Sequence, residues 1–125
     1  MVNRLAGKFV KPAMNRAGAR AEELCAELMR GYGLRILERN WQCRLGEIDL
    51  IAEEGATLVF AEVRLRNDRM FGGAGESITA AKRSRIIAAA QFYLTRRRAQ
   101  SCRFDVLLVT GNPARVEWIR NAFAE

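Results

Sequence analysis

The sequence predicts an α/β fold, a single sheet domain of two or three layers with elements in the order αβββαββ. Three observations carry that expectation. Two long segments place apolar residues at helical spacing, five shorter ones alternate or run continuously apolar, and glycine, asparagine and proline turns separate them. At 125 residues the chain is long enough for one hydrophobic core and short for two. Half of it is hydrophobic and 28% charged, the balance of a globular rather than a disordered chain.

From about Ala13 to Arg30, Ala17, Ala21, Leu24, Cys25 and Leu28 fall on one helical stripe, and Gly31-Tyr32-Gly33 stops that helix. Leu34–Trp41 is a short strand. Glu47–Ala52 alternates, with Glu47, Asp49 and Ile51 expected on one face and Ile48 and Leu50 on the other. Glu53-Glu54-Gly55 turns the chain into a strand over Thr57–Arg66, with Val59, Ala61 and Val63 on one face and Phe60, Glu62 and Arg64 on the other. Asn67–Gly75, with three glycines, is a loop. Thr79 caps a helix that should run to about Arg97, with Ile86, Ile87, Ala90, Tyr93 and Leu94 inward and Lys82, Arg83 and Arg85 outward. The Arg96-Arg97-Arg98 run suits a helix C-terminus. Phe104–Thr110 reads as a strand buried on both faces. Gly111-Asn112-Pro113 then leads to a last strand over Arg115–Ile119. Residues 1–12 form a basic N-terminal arm ahead of a single domain over 13–125.

Lysine and arginine number 21 against 14 acids, a net charge of +7, and no acid precedes Glu22. Such a balance favours a polyanionic partner, nucleic acid and DNA first. Lys82, Arg83, Arg85, Arg66 and Arg20 are the candidate nucleic-acid-binding residues. No apolar run approaches the roughly 20 residues that span a bilayer. The N-terminus also lacks the apolar core of a secretory signal. A cytoplasmic protein without a membrane partner is therefore expected. Cys25, Cys43 and Cys102 are far apart and there is no histidine, which excludes Cys/His zinc and histidine-based nucleophilic catalysis. The glycines at 72, 73 and 75 lack the Gly-Lys-Ser/Thr of a P-loop. Chemistry is left to carboxylates, lysine, arginine, hydroxyls or a metal.

Two carboxylates stand out because they interrupt apolar strands: Asp49 in Ile48-Asp49-Leu50-Ile51 and Glu62 in Phe60-Ala61-Glu62-Val63. A buried carboxylate is costly unless it is paired or metal-bound. As hairpin neighbours the two strands can bring Asp49 and Glu62 to one surface, with Arg64 beside Glu62. Convergent carboxylates suit Mg²⁺ or Mn²⁺, and such a site suits phosphodiester hydrolysis. The competing expectation is that these acids form salt bridges with Arg39, Arg44, Arg64 or Arg66.

Gly46-Glu47-Ile48-Asp49-Leu50-Ile51 followed by Phe60-Ala61-Glu62-Val63-Arg64 resembles the D…ExK core of the PD-(D/E)XK nucleases. With Gly18 through Glu22, Gly31-Tyr32, Asn40-Trp41, Phe71-Gly72, Lys82, Tyr93-Leu94, Arg103 through Val106 and Asn121-Ala122-Phe123 in order, most of the chain resembles the YraN-like family, related to Holliday junction resolvases. The resemblance implies a restriction endonuclease-like αβββαβ core, a mixed sheet flanked by helices. It implies a metal-dependent DNA endonuclease acting on branched or single-stranded DNA, with Asp49 and Glu62 as ligands of Mg²⁺ or Mn²⁺. Glu22 would be a third acid and metal ligand, and Glu47 would either share the face of Asp49 or form a salt bridge on the rim. Arg64 would complete the catalytic set, and Lys82 would contact a phosphate or the edge of the site. By analogy with junction resolvases a homodimer is a further expectation. One position departs from the pattern, for Arg64 stands where the family has lysine. Arginine clamps phosphate but stays protonated, so it is a poor general base. The chain holds 18 arginines and 3 lysines, a bias that accounts for the exchange without preserving the mechanism. The alternatives are a non-catalytic nucleic-acid-binding module with a degenerate site and a protein-assembly factor.

Overall fold

The computed structural model of the chain describes residues 16–66, 78–98 and 100–124. The basic arm over 1–12, the start of the first helix at 13–15 and the glycine loop Asn67–Gly75 lie outside the described residues. The elements are α1 (Arg16–Gly31), β1 (Arg35–Cys43), β2 (Gly46–Glu54), β3 (Thr57–Leu65), α2 (Ala80–Leu94), β4 (Cys102–Thr110) and β5 (Arg115–Phe123). The strands form one sheet in the order β1-β2-β3-β4-β5. Among the described residues only the β3–β4 pair is parallel, and the connection between them carries α2. The result is a mixed sheet flanked by two helices, with the expected αβββαββ order and β5 at its edge.

Each helix covers one face. Ala21, Cys25, Ala26 and Met29 of α1 pack on Leu50, Ala52, Val59, Ala61 and Leu107. The helix ends as Gly31-Tyr32-Gly33 suggested: Gly33 takes a φ of +92° and Leu34 N donates to Met29 O at 3.0 Å. On the other face Ile86, Ala89 and Ala90 of α2 meet Trp41, Ile48, Ile51, Leu58, Phe60 and Phe104. Thr79 caps α2, its hydroxyl accepting from Lys82 N at 3.0 Å. The helix stops three residues short of Arg97. Thr95 Oγ1 donates to Phe92 O at 2.7 Å and Arg97 N to Leu94 O at 3.0 Å, closing the last turn tightly. The Arg96–Arg98 run therefore lies beyond the helix, where Arg97 pairs with Glu53 at 3.6 Å.

The alternation expected along β2 does not hold. Ile48 and Ile51 pack together on the α2 side, whereas Leu50 and Ala52 pack on the α1 side. The break coincides with one on β1, where Asn40 falls between the pairs Arg39↔Leu50 and Trp41↔Ile48 as Asp49 does on β2. Asn40 has a φ of +50°, a left-handed conformation asparagine tolerates. Arg39 before it pairs with Glu23 of α1, while Trp41 after it packs on the α2 side. Both strands thus roll over at the same rung, and Asp49 occupies it. A second irregularity lengthens β5 to Phe123, past the expected Ile119. The β4–β5 register shifts between Phe104 and Val106, so pairing resumes at Phe104↔Phe123. Asp105 fills that gap. Fully buried, it accepts from Arg103 Nε at 3.0 Å, Trp118 Nε1 at 2.9 Å and Asn121 N at 2.8 Å. It is a structural acid.

Candidate functional site

The β2–β3 ladder runs from Glu54↔Thr57 to Leu50↔Ala61 and goes no further. Its neighbours continue, β1–β2 to Cys43↔Gly46 and β3–β4 to Leu65↔Val109. The two central strands therefore fork just past Leu50 and Ala61, and the next residues along them are Asp49 and Glu62. In the fork β2 no longer supplies a backbone acceptor to Val63, and Asp49 Oδ2 accepts the Val63 N–H at 2.9 Å. Glu62 follows Leu58 and Phe60 onto the α2 side. There Lys82, in the first turn of α2, places Nζ 3.4 Å from Glu62 Oε2, and Arg64 Nη1 stands 3.9 Å from the same oxygen. Both acids are nearly sealed from solvent, Asp49 7% and Glu62 5% exposed.

That burial sets the electrostatics. The Glu62 carboxyl is pushed up to about 8, first by desolvation and then by the charge of Asp49, with Lys82 opposing. Glu22, also buried at 9% exposed, approaches from α1 on the opposite face. The Cys25 thiol there is pushed up to about 12 by burial, with the charges of Glu22 and Asp49 adding to it. Among the described residues no group of three or more acids, cysteines or histidines gathers closely enough to enclose a metal ion unaided. Asp49 and Glu62 form a two-carboxylate pair, with Glu22 behind it. Mg²⁺ is commonly held by one or two carboxylates while water and substrate phosphates supply the other ligands, so the pair has suitable donor chemistry. A dication would also relieve the repulsion that raises the Glu62 pKa.

The salt-bridge alternative holds in part at the pair itself, where Arg64 stands 3.9 Å from Glu62 Oε2, and otherwise joins other acids. Arg39 pairs with Glu23 and Arg66 with Glu117 at 3.9 Å; of the four arginines named for that role, Arg64 is the one that faces the carboxylate pair. Glu47 accepts from Gln42 Nε2 at 3.3 Å on the rim.

The five basic candidates do not form one patch. Lys82 and Arg85 line a groove of about 430 Å³ on the α2 side, joined by Arg44. Arg20 and Arg66 line a separate groove of about 640 Å³ between α1 and the β4–β5 turn. Arg83 Nη1 donates to Ile78 O at 3.0 Å, which ties it to the start of α2. Sequence reasoning missed the Val63 N–H that anchors Asp49, and considered Arg44 only as a salt-bridge partner. Its position in the tight turn between two antiparallel strands was the available signal.

Fold and site define an α/β protein with a buried carboxylate pair at a strand fork, flanked by lysine and arginine. The model of the uncharacterised protein family UPF0102 matches residues 21–109, and the chain belongs to that family. A UPF0102 protein of Nitrosospira multiformis is 49% identical, the match covering 85% of this chain and 91% of the relative. One from Nitrosomonas europaea is 50% identical over 86% of this chain and 93% of its own. A third, from Nitrosococcus oceani, is 48% identical over 91% and 97%. No described helix is long and apolar enough to cross a membrane.

Proposed function

We propose that this chain is a metal-dependent nuclease of the PD-(D/E)XK type that cleaves phosphodiester bonds in DNA, branched or single-stranded DNA being its substrate. One observation carries the reading: Asp49 and Glu62 are buried side by side at the β2–β3 fork, with Lys82 and Arg64 on Glu62, in a chain of net charge +7. Mg²⁺ or Mn²⁺ bound by the two carboxylates would supply Lewis acidity toward a phosphoryl oxygen and acidify water.

The chain's own residues do the rest. The Val63 N–H fixes the Asp49 carboxylate in orientation, so it is set before any ligand arrives. Glu62, sitting between Asp49 and Lys82, has its carboxyl raised by burial and by the Asp49 charge, and positive charge brought to the site would lower it again. Arg64 presents a guanidinium that binds phosphate oxygens and stabilises charge developing there, while its permanent protonation rules it out as a base. Lys82 adds a compact ammonium from the other side of Glu62.

Arg64 also favours a second reading, a module that binds nucleic acid without cutting it. Labelled duplex, single-stranded and four-way-junction DNA, each incubated with Mn²⁺, Mg²⁺ or EDTA, separates the two. Metal-dependent cleavage abolished in Asp49→Asn supports the nuclease. Salt-sensitive binding without cleavage, in both the parent chain and Arg64→Lys, supports the module. Absence of salt-sensitive binding to any of these substrates overturns both and leaves an assembly role.

A further inference from the structure

Next to the acid pair, the β1–β2 turn at Arg44 and Leu45 and the first turns of α2 together line the open groove of about 430 Å³. Three cations line it, Arg44, Lys82 and Arg85, against the carboxylate of Glu47, to which Gln42 already donates. Lys82 belongs to both places, since the ammonium that lines the groove also stands 3.4 Å from Glu62 Oε2. The groove therefore meets the acid pair at Lys82. Its surface is apolar as well as basic: Ile86 lies within it, and Leu45 projects from the turn with 42% of its surface exposed.

Backbone packing presets the width of the groove. A Cβ on Gly46 would lie 3.0 Å from the Arg85 carbonyl oxygen. That oxygen belongs to the body of α2 and cannot swing aside without disturbing the helix. The hairpin and the helix reach this separation because position 46 has no side chain.

We propose that this groove is a nucleotide subsite: it seats an unpaired nucleotide beside the cleaved phosphate, with Arg44, Lys82 and Arg85 on the phosphates and Leu45 against the base. The substrate is then single-stranded nucleic acid, or the unpaired arm of a branched one, rather than intact duplex. The cleaved phosphate in this statement rests on the nuclease reading; binding in the groove does not require cleavage. The volume lies in the range of about 300–1,000 Å³ typical of small-molecule pockets, a size class that includes a mononucleotide. A base held in a duplex reaches an apolar lip only by leaving the stack, whereas a single strand offers its bases directly.

Fluorescence anisotropy in EDTA tests this without catalysis, using dye-labelled single-stranded DNA, the same sequence as RNA, and the blunt DNA duplex. A single strand, DNA or RNA, should bind at least about tenfold tighter than the duplex. Arg44→Ala and Arg85→Ala should each lower the slope of log affinity against log salt by about one contact, roughly 0.7 for a single strand. Leu45→Ser should weaken single-strand binding and leave duplex binding unchanged. Gly46→Ala, which alters no charge, should also weaken it, with an unchanged circular dichroism spectrum showing that the fold is intact. Equal affinity for duplex and single strand, no binding to either, or single-strand affinity unaltered in Arg85→Ala and Leu45→Ser overturns the subsite. Selective binding without metal-dependent cleavage supports the subsite and overturns the nuclease reading. Cleavage with no effect of these substitutions does the reverse.

Discussion

Replacing Glu62 with glutamine keeps the shape of the side chain and removes its capacity to ionise. In the folded chain this carboxyl is pushed up from 4.5 to about 8, by burial first and the Asp49 charge second, against the pull of Lys82. Between those two values the folded chain holds a proton that the unfolded chain has released. The unfolded state then binds fewer protons, so stability falls as pH rises. The stability linked to Glu62 is fully present below about pH 4.5 and has been lost once the pH passes about 8. At 1.36 kcal/mol per pH unit, the loss across that window is on the order of a few kcal/mol. Glu62→Gln escapes it. The variant should exceed the parent chain at pH 7 by an amount on the order of a few kcal/mol, and the two should converge as the pH falls toward 4.5. Urea unfolding in EDTA across that pH range gives both curves. A difference that does not change with pH between 5 and 8, or a variant less stable at pH 7, refutes the reasoning. Added Mg²⁺ at pH 8 should stabilise the parent chain and do little for the variant.

Asp49→Asn keeps an oxygen acceptor for the Val63 N–H and loses the charge, so the Glu62 carboxyl should move down toward its ordinary value, as an NMR titration would show. Asp49→Ala removes that acceptor and should cost about 1–3 kcal/mol in urea unfolding, beyond any effect on activity. Asp105→Ala strips Arg103, Trp118 and Asn121 N of a buried acceptor, and thermal unfolding should report a loss of about 3–5 kcal/mol. Thr79→Ala removes the cap of α2 and should cost about 1 kcal/mol by urea unfolding.

The seven elements were legible in order because apolar spacing distinguishes helices from strands, and glycines at 33, 55 and 111 mark three of the turns. Asp49 and Glu62 were legible for a related reason: charges inside apolar strands need a physical cause. What escaped notice depends on contacts between strands. Strict alternation along β2 assumes an unbroken pleat, and the pleat is broken at Asp49, level with the left-handed Asn40 on the neighbouring strand. The length of β5 depends on the register shift opposite Asp105, and the end of α2 on the Thr95 hydroxyl. Nor does a count of arginines say which face each will occupy. Arg20 and Arg66 fall in one groove and Lys82 and Arg85 in another, because α1 and α2 cover opposite faces of the sheet. The basic groove forms where Gly46 lets the hairpin approach α2 closely.

Whether Asp49 and Glu62 together hold a divalent cation is read most directly by titrating Mn²⁺ into the chain and following free Mn²⁺ by electron paramagnetic resonance. The parent chain should bind the ion, Asp49→Asn and Glu62→Gln should each lose that binding, and Thr79→Ala should retain it. Equal Mn²⁺ affinity in the parent chain and both acid variants would contradict the assignment of a metal site to the β2–β3 fork.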